Sequence, residues 1–387
     1  MSVCARIRHW LITAAVLLPL VISGCLPEAD QPVTSNETST DALSAPIRAP
    51  DELDRVSQSV TAPFQKAPAI LQPVNVRIEN PYAGGTPYKA QLHAHTTESD
   101  GKLSPAELAA FYRDAGYQVL AITDHGRFTP PPAVHGILVI VGSEQDTDEG
   151  HLVAYGAVAR LDIDRIRSAQ TKINRILELG GIAGLAHPNY KTESWTNEEI
   201  AGLSSFSLIE VFNGVVGSAQ GIAEDKWDYA LRLEPGRKIW GTAVDDFHAP
   251  EHFGKGWVVI YADELGTGAI MRSLRTGNFY ATQGPEIKAW TVGRIIRASV
   301  DELSQFRWTV DGTHYLMGSS RLSSEYLVTG REKYVRVTIK RDRDGRMAWS
   351  QPFFVHAGRE VGLLQHGQRP ESVRKEPIEG LVNIPTP

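Results

Sequence analysis

Cysteine is almost absent from this 387-residue chain, which has only Cys4 and Cys25. Residues 26–387 can therefore form neither a disulfide framework nor a thiolate metal site, and any metal held there must sit on nitrogen and oxygen. An excess of basic charge is missing too. The chain carries 39 Lys and Arg against 45 Asp and Glu, a formal net charge of −6, and shows no basic stripe. That argues against sequence-specific binding of nucleic acid. Long apolar runs are also lacking. The run at residues 10–22 is broken by Pro19 and is too short to cross a bilayer comfortably. The rest is ordinary globular composition, 42% hydrophobic, enough for one large domain and a small one.

The short apolar run does suit an export signal. Arg6 and Arg8 give it a positive start, and Ile22-Ser23-Gly24-Cys25 ends it with two small residues before a thiol. This ending resembles a bacterial lipobox. The resemblance implies that residues 1–25 are a lipoprotein signal peptide, cleaved before Cys25, with Cys25 carrying the lipid. An uncleaved anchor, or an ordinary signal with an incidental cysteine, is the plainer alternative. Leu26, where inner-membrane retention would call for Asp, suggests by analogy with lipoprotein sorting an outer-membrane protein facing the periplasm. Residues 26–75 are rich in Pro, Ser, Thr, Ala and acidic residues. They show no sustained period and read as a disordered tether.

From residue 76 short apolar runs alternate with amphipathic stretches. Strands are expected at 89–93, 119–123, 137–142, 151–155, 182–186, 208–212, 239–244 and 257–261. Helices are expected from Ser104-Pro105-Ala106-Glu107, which reads as an N-cap, a proline at N1 and a capping-box glutamate, and at 163–179, 217–233 and 263–274. Such alternation predicts an α/β fold with a parallel sheet, closed into a barrel, over residues 76–284. After Gly284-Pro285 the helix signals fade. Alternating segments at 306–310 and 334–339, and a further run at 347–355, predict a small β-rich module at 285–361. Packing against the barrel is its simplest role. A polar tail fills 362–387.

Parallel barrels place their chemistry at the C-terminal ends of strands, and polar residues gather there. His93 and His95 end the first strand, two residues apart and so on one face of it, with Asp100 in the loop beyond. Imidazole and carboxylate in that pattern suit zinc, manganese or iron. Asp124 and His125 end the second strand, Glu144 follows the third, and His187 follows Gly184-Leu185-Ala186. Asp245, Asp246 and His248 follow Gly241-Thr242-Ala243-Val244. Glu210 and Asn213 either close their strand or shape the pocket. His151 starts a strand and so breaks the pattern. Lys102, Arg127 and Lys191 flank these motifs and read as surface cations. His135, His252, His314, His356 and His366 match nothing and are assigned to surface or core.

The ordered set His93-Ala94-His95, Ser99-Asp100-Gly101, Thr123-Asp124-His125, Glu144, His151, Ala186-His187-Pro188 and Asp246-Phe247-His248 resembles the PHP (polymerase and histidinol phosphatase) superfamily of metal-dependent phosphoesterases. The resemblance spans about residues 88 to 284. It implies a distorted (β/α)7 TIM-like barrel that holds two or three divalent ions on His93, His95, Asp100, His125, Glu144, His151, His187, Asp246 and His248. Residues 273–285 further resemble a branch that includes carbaryl-hydrolase-like metallohydrolases, so phosphate is not the only substrate group in view.

Those nine ligands include three carboxylates, Asp100, Glu144 and Asp246. Two or three divalent ions bring four to six positive charges, so a surplus of one to three is left to attract a small anionic ester. A metal-activated hydroxide is the expected nucleophile, with Glu144 bridging two ions and Asp124 orienting an imidazole from behind. The leaving group's proton would come from His187, His248 or a bound water. Phosphate-ester hydrolysis leads. A carbamate, amide or carboxylic ester is the alternative substrate, and a non-catalytic metal- or glycan-binding lipoprotein is the reading from another class.

Overall fold

The structure is a computed structural model that describes residues 75–156, 166–191, 194–216, 221–234 and 236–358. The expected signal peptide, Cys25, nearly all of the tether, the first residues of the expected helices at 163 and 217, and the tail from 362 lie outside those residues. No helix among the described residues is long and apolar enough to cross a membrane.

Strands β1 (Val76–Glu79) and β2 (Thr86–Gln91) come first. Helix α1 (Pro105–Asp114) starts at its capping box: Ser104 accepts from Glu107 N, and the Glu107 carboxylate accepts from Ser104 N at 2.8 Å. There follow β3 (Val119–Ile122), β4 (Leu138–Asp146), β5 (His151–Tyr155), α2 (Ala169–Glu178) and β6 (Ile182–Leu185). Next comes α3 (Asn197–Gly202), which periodicity did not reveal because it is only one to two turns long. It is set by its own capping box, Thr196 with Glu199. Then come β7 (Leu208–Asn213), α4 (Glu224–Leu233), β8 (Trp240–Val244), β9 (Trp257–Ala262), α5 (Thr267–Thr276) and β10 (Phe279–Thr282).

The expected all-parallel sheet is only partly realised. Strands β2, β3 and β4 pair parallel, as do β6, β7 and β8. Strand β5 lies antiparallel between β4 and β6, and β9 lies antiparallel to β2. Loop length explains the first reversal. Only residues 147–150 join β4 to β5, too few for a crossover, and Thr147 closes that turn by accepting from Glu149 N and Gly150 N at 3.1 and 3.0 Å. Between β8 and β9 there is likewise no crossover helix, only a single 3-10 turn at Pro250–His252. Beyond its ladder the β2 chain runs on to pair Ala94 with Phe247 in a parallel bridge, His95 N donating to Phe247 O at 2.7 Å. Strands β2 to β8 thus follow one another edge to edge, and the chain leaving β8 meets the chain leaving β2.

The last strands are β11 (Lys288–Val292), β12 (Ile295–Val310), β13 (Thr313–Leu316), β14 (Arg321–Leu327), β15 (Tyr334–Arg341), β16 (Met347–Trp349) and β17 (Phe353–Ala357). All pair antiparallel, with the long β12 laddered to β11, β13, β14 and β15. The run expected as one strand at 347–355 breaks before Pro352, which has no N–H for a ladder. Phe306, Trp308, Val335, Val337 and Ile339 form the core of this part. The segment at 334–339 is not half-buried as its alternation suggested. Arg336 and Thr338, on its other face, are buried against α4 through Glu224 and Asp228.

Candidate metal centre

The site begins where β2 ends. Gln91 is buried, and its Oε1 accepts from Leu92 N, His93 N and Asp245 N at 2.9, 3.1 and 3.2 Å. That side chain replaces the ladder, so the chain leaves the sheet with its polar groups satisfied and turns His93 and His95 inward. Both imidazoles are fully buried, their Nε2 atoms 3.1 Å apart.

Glu144, from β4, is the hub. Its Oε2 lies 3.0 Å from His93 Nε2, 3.2 Å from His95 Nε2 and 3.5 Å from His125 Nδ1. Its Oε1 lies 2.9 Å from His151 Nδ1 and 2.8 Å from His187 Nε2. One buried carboxylate thus meets five imidazoles. Asp246 adds Oδ1 at 3.4 and 3.3 Å from the Nε2 atoms of His93 and His95, and 3.6 Å from His248 Nδ1. At the mouth Asp100, 55% exposed, sets its carboxylate 3.5 Å from His95 Nδ1, 3.4 Å from His248 Nε2 and 3.9 Å from His125 Nε2. All nine groups singled out in the sequence are therefore brought into one constellation.

Within it, four sets of side chains each bring ligand atoms within 4.8 Å of one another. These are His93, His95, Glu144 and Asp246; Glu144, His151 and His187; His95, Asp100, His125 and His248; and His125, Asp146 and His151. His187 and Asp246 hold left-handed backbone, φ 26° and 54°, a strain that the surrounding structure must hold in place. Among the described residues Asp246 Oδ1 and His187 Nδ1, both buried, have no hydrogen-bond partner. A buried carboxylate oxygen that is aimed at imidazole nitrogens yet bonded to none has the chemistry of a cation ligand.

The electrostatics agree. Burial opposes charge on His93, but Asp246, Glu144 and Glu210 outweigh it and hold its pKa well above the usual histidine range. Burial likewise opposes charge on His95 and His187, yet the carboxylates of Asp246 and Glu144 push the first to about 9, and Glu144 foremost pushes the second to about 9. Glu144 and Asp246 are shifted the other way, since the imidazoles facing them outweigh the burial that would raise them. His248 is lowered, by burial and then by the charge on His95. The cavity is an acidic nest that attracts positive charge, whether protons or metal ions.

Asp124 and His252 differ from their sequence readings. Asp124 does not orient an imidazole. Its carboxylate accepts from Thr96 N at 2.7 Å, Thr96 Oγ1 at 2.8 Å, Ser99 Oγ at 2.8 Å and Thr129 Oγ1, and so braces the loop that carries Asp100. Asp245 is buried and accepts from Tyr112 Oη and from the backbone N–H groups of Gly254, Lys255 and Gly256. Arg127 is tied to Glu98 at 2.8 Å. His252 touches the site edge, its Nδ1 accepting from His248 N at 3.2 Å. His314 pairs with Thr309 and His356 with Glu79. His135 is exposed, and His366 lies outside the described residues.

Two acidic residues were missed or left open. Asp146 closes β4, its Oδ1 3.6 Å from His125 Nδ1 and 3.4 Å from His151 Nε2. It was hidden because the strand was expected to end at 142. Glu210 is buried and bonds His93 Nδ1 at 2.7 Å. Its signal was a lone carboxylate inside the apolar run Leu208-Ile209-Glu210-Val211-Phe212.

No family model matches the chain, and no curated protein matches it. Solved structures similar to it include a two-domain protein from Bacteroides vulgatus containing a predicted PHP-like metal-dependent phosphoesterase. That protein is 15% identical, with a TM-score of 0.41 over 71% of this chain and 95% of the other. An amidohydrolase from Chromobacterium violaceum is 17% identical, with a TM-score of 0.31 over 42% of this chain and 88% of the other.

Proposed function

We propose that the chain is a metal-dependent hydrolase of phosphate esters, and that β2 to β8 form a distorted (β/α)7 barrel of the PHP type around its site. One observation carries the reading: six imidazoles and three carboxylates from separate loops and strand ends gather in one constellation, five of the imidazoles on Glu144 and His248 on Asp246 and Asp100, and the donor set is purely nitrogen and oxygen. Three of the sets described above would hold ions. His93, His95, Glu144 and Asp246 would take one; Glu144, His151 and His187 a second; and His95, Asp100, His125 and His248 a third. Glu144 can serve two ions because its oxygens face different imidazoles. Zinc, manganese and iron all accept such donors.

Divalent ions bound there supply a Lewis acid for an anionic ester and bring the pKa of water down to about 7. The chain's own groups do the rest. Glu144 and Asp246, held ionised, keep the imidazoles facing inward. Asp100 and His248 stand at the exposed mouth, where an ester arrives. Among the described residues Arg127 is already engaged by Glu98, so an anionic substrate would be gripped by the centre itself, with Lys102 and Lys191 exposed nearby. We further infer that residues 1–25 direct export and that Cys25 anchors the protein by lipid to the outer membrane, facing the periplasm.

The test is a substrate panel. Protein lacking residues 1–25, stripped and reloaded with Mn²⁺ or Zn²⁺, should cleave phosphate mono- or diesters. Asp246→Ala should lower kcat/KM by at least a hundredfold, about 3 kcal/mol. Turnover confined to carbamates, amides or carboxylic esters would overturn the phosphoester assignment, and failure to bind any ion would overturn the metal centre.

A further inference from the structure

Three of the nine proposed ligands, His93, His187 and Asp246, are held by a pair of residues that none of the motifs contains. Glu210 and Asn213 stand on β7, both buried. Glu210 Oε1 meets His93 Nδ1 at 2.7 Å. Its Oε2 accepts from His187 N at 2.7 Å and from Asn213 Nδ2 at 2.9 Å. The same Asn213 nitrogen donates to Asp246 Oδ2 at 3.1 Å. The amide's orientation is decided by its other end, where Oδ1 accepts from Val215 N and Val216 N at 3.1 and 3.4 Å.

We propose that Glu210, with Asn213 as its relay, is the positioning residue of the centre. Resting on the metal-centre reading above, this adds what selects the ligand atoms. A carboxylate can only accept, so His93 must carry its proton on Nδ1. That leaves Nε2, which faces Glu144, His95 and Asp246, as the ligating atom. The other oxygen takes the N–H of His187 and so holds that residue in its left-handed backbone. Asn213 occupies Asp246 Oδ2, which leaves Oδ1, the buried unpartnered oxygen, as the one presented to a cation. Three ligands from three strand ends are thus set, His93 and His187 by Glu210 directly and Asp246 through Asn213, and the oxygens of Glu210 are fully used, so Glu210 is not itself a ligand.

Glu210→Gln discriminates, because the amide keeps the shape and has only one acceptor. If its oxygen serves His187 N and Asn213, its NH2 meets His93 Nδ1 and forces the proton onto Nε2, the wrong tautomer for ligation. If its oxygen serves His93, the NH2 faces two donors. Zn²⁺ affinity of the full protein should be measured by chelator competition, with ion stoichiometry, beside the melting temperature of the metal-free form. Glu210→Gln should weaken the tightest site at least tenfold, and Glu210→Asp should recover part of that loss. A loss under tenfold, or a lowered melting temperature with unchanged affinity, overturns the positioning role. If Glu210→Gln does not fold, Asn213→Ala, which removes only the relay to Asp246, reads out the same affinity against the same threshold. Wild-type protein that binds no Zn²⁺ refutes the metal centre instead, so the two failures are distinct.

Discussion

At the scale of single residues, the loop between His95 and Asp100 shows how tightly the site is built. Gly101 has no room for a side chain: a Cβ there would stand 2.2 Å from His95 O and 2.7 Å from Thr96 N. Gly101 N donates to Thr96 O at 2.9 Å, and Asp124 gathers Thr96 and Ser99 from the other side. Gly101→Ala must push the loop off both. It should cost about 1–3 kcal/mol in urea denaturation and release Asp100 from the third ion set, so that one equivalent of bound metal is lost. An unchanged urea midpoint with full metal occupancy would show that the loop yields freely. The gathering of these nine side chains was expected from the resemblance to a known superfamily, while local spacing alone showed only the pairs at i and i+2. Asp146 and the bracing role of Asp124 were not legible, and Glu210 was left open between closing its strand and shaping the pocket, since a carboxylate looks the same in sequence whether it ligates, orients or holds a loop.

At the scale of elements, one strand accounts for the residue that broke the strand-end pattern. His151 begins β5, and in an all-parallel sheet it would stand at the far end from the site. Because β5 runs backward, with Asp146 opposite His151 in register, its first residue shares the rim with the last residues of its neighbours. Helix α4 and strand β15 make a second such dependence. Arg336 is fully buried between them, its Nη1 2.9 Å from Glu224 Oε1 and its Nη2 2.7 Å from Asp228 Oδ2, with Arg307 also on Glu224. Burial raises the Glu224 carboxyl, but Arg336 and then Arg307 outweigh it and bring its pKa down to about 2. A depressed folded pKa stabilises above the ordinary carboxylate value, and the contribution fades as pH falls through the folded one. Glu224 therefore contributes about 3 kcal/mol at neutral pH, lost between about pH 4.5 and 2. In urea melts Glu224→Gln should be less stable than wild type by roughly that much at pH 7, and the gap should close as pH approaches 2. A gap that does not change with pH would refute the linkage.

At the scale of the whole molecule, the last strands are not a detached module. Strand β16 pairs with β10, and β17 with β1. Gln351 hydrogen-bonds both N and O of Gly241, in β8, at 2.8 Å. These contacts bind the C-terminal strands to the sheet that carries the site. The proposed anchor belongs to this scale too, since it would decide where the protein resides. In cells fed a labelled fatty acid, the full-length protein should take up label and fractionate with outer membranes, and Cys25→Ser should do neither. Label retained in Cys25→Ser would remove the lipobox reading.

By itself the sequence determined, through composition, that nitrogen and oxygen donors are available and thiols are not after Cys25, and, through residues a few positions apart, the α1 capping box and the alternation of strand and helix. Only the tertiary structure decided the direction of β5, the meeting of β2's continuation with that of β8, and the division of the carboxylates into candidate ligands and holders of ligands. Those outcomes depend on loop closure and on pairing between segments far apart in the chain, such as Asp245 with Gln91, 154 residues apart, whose register no local pattern encodes.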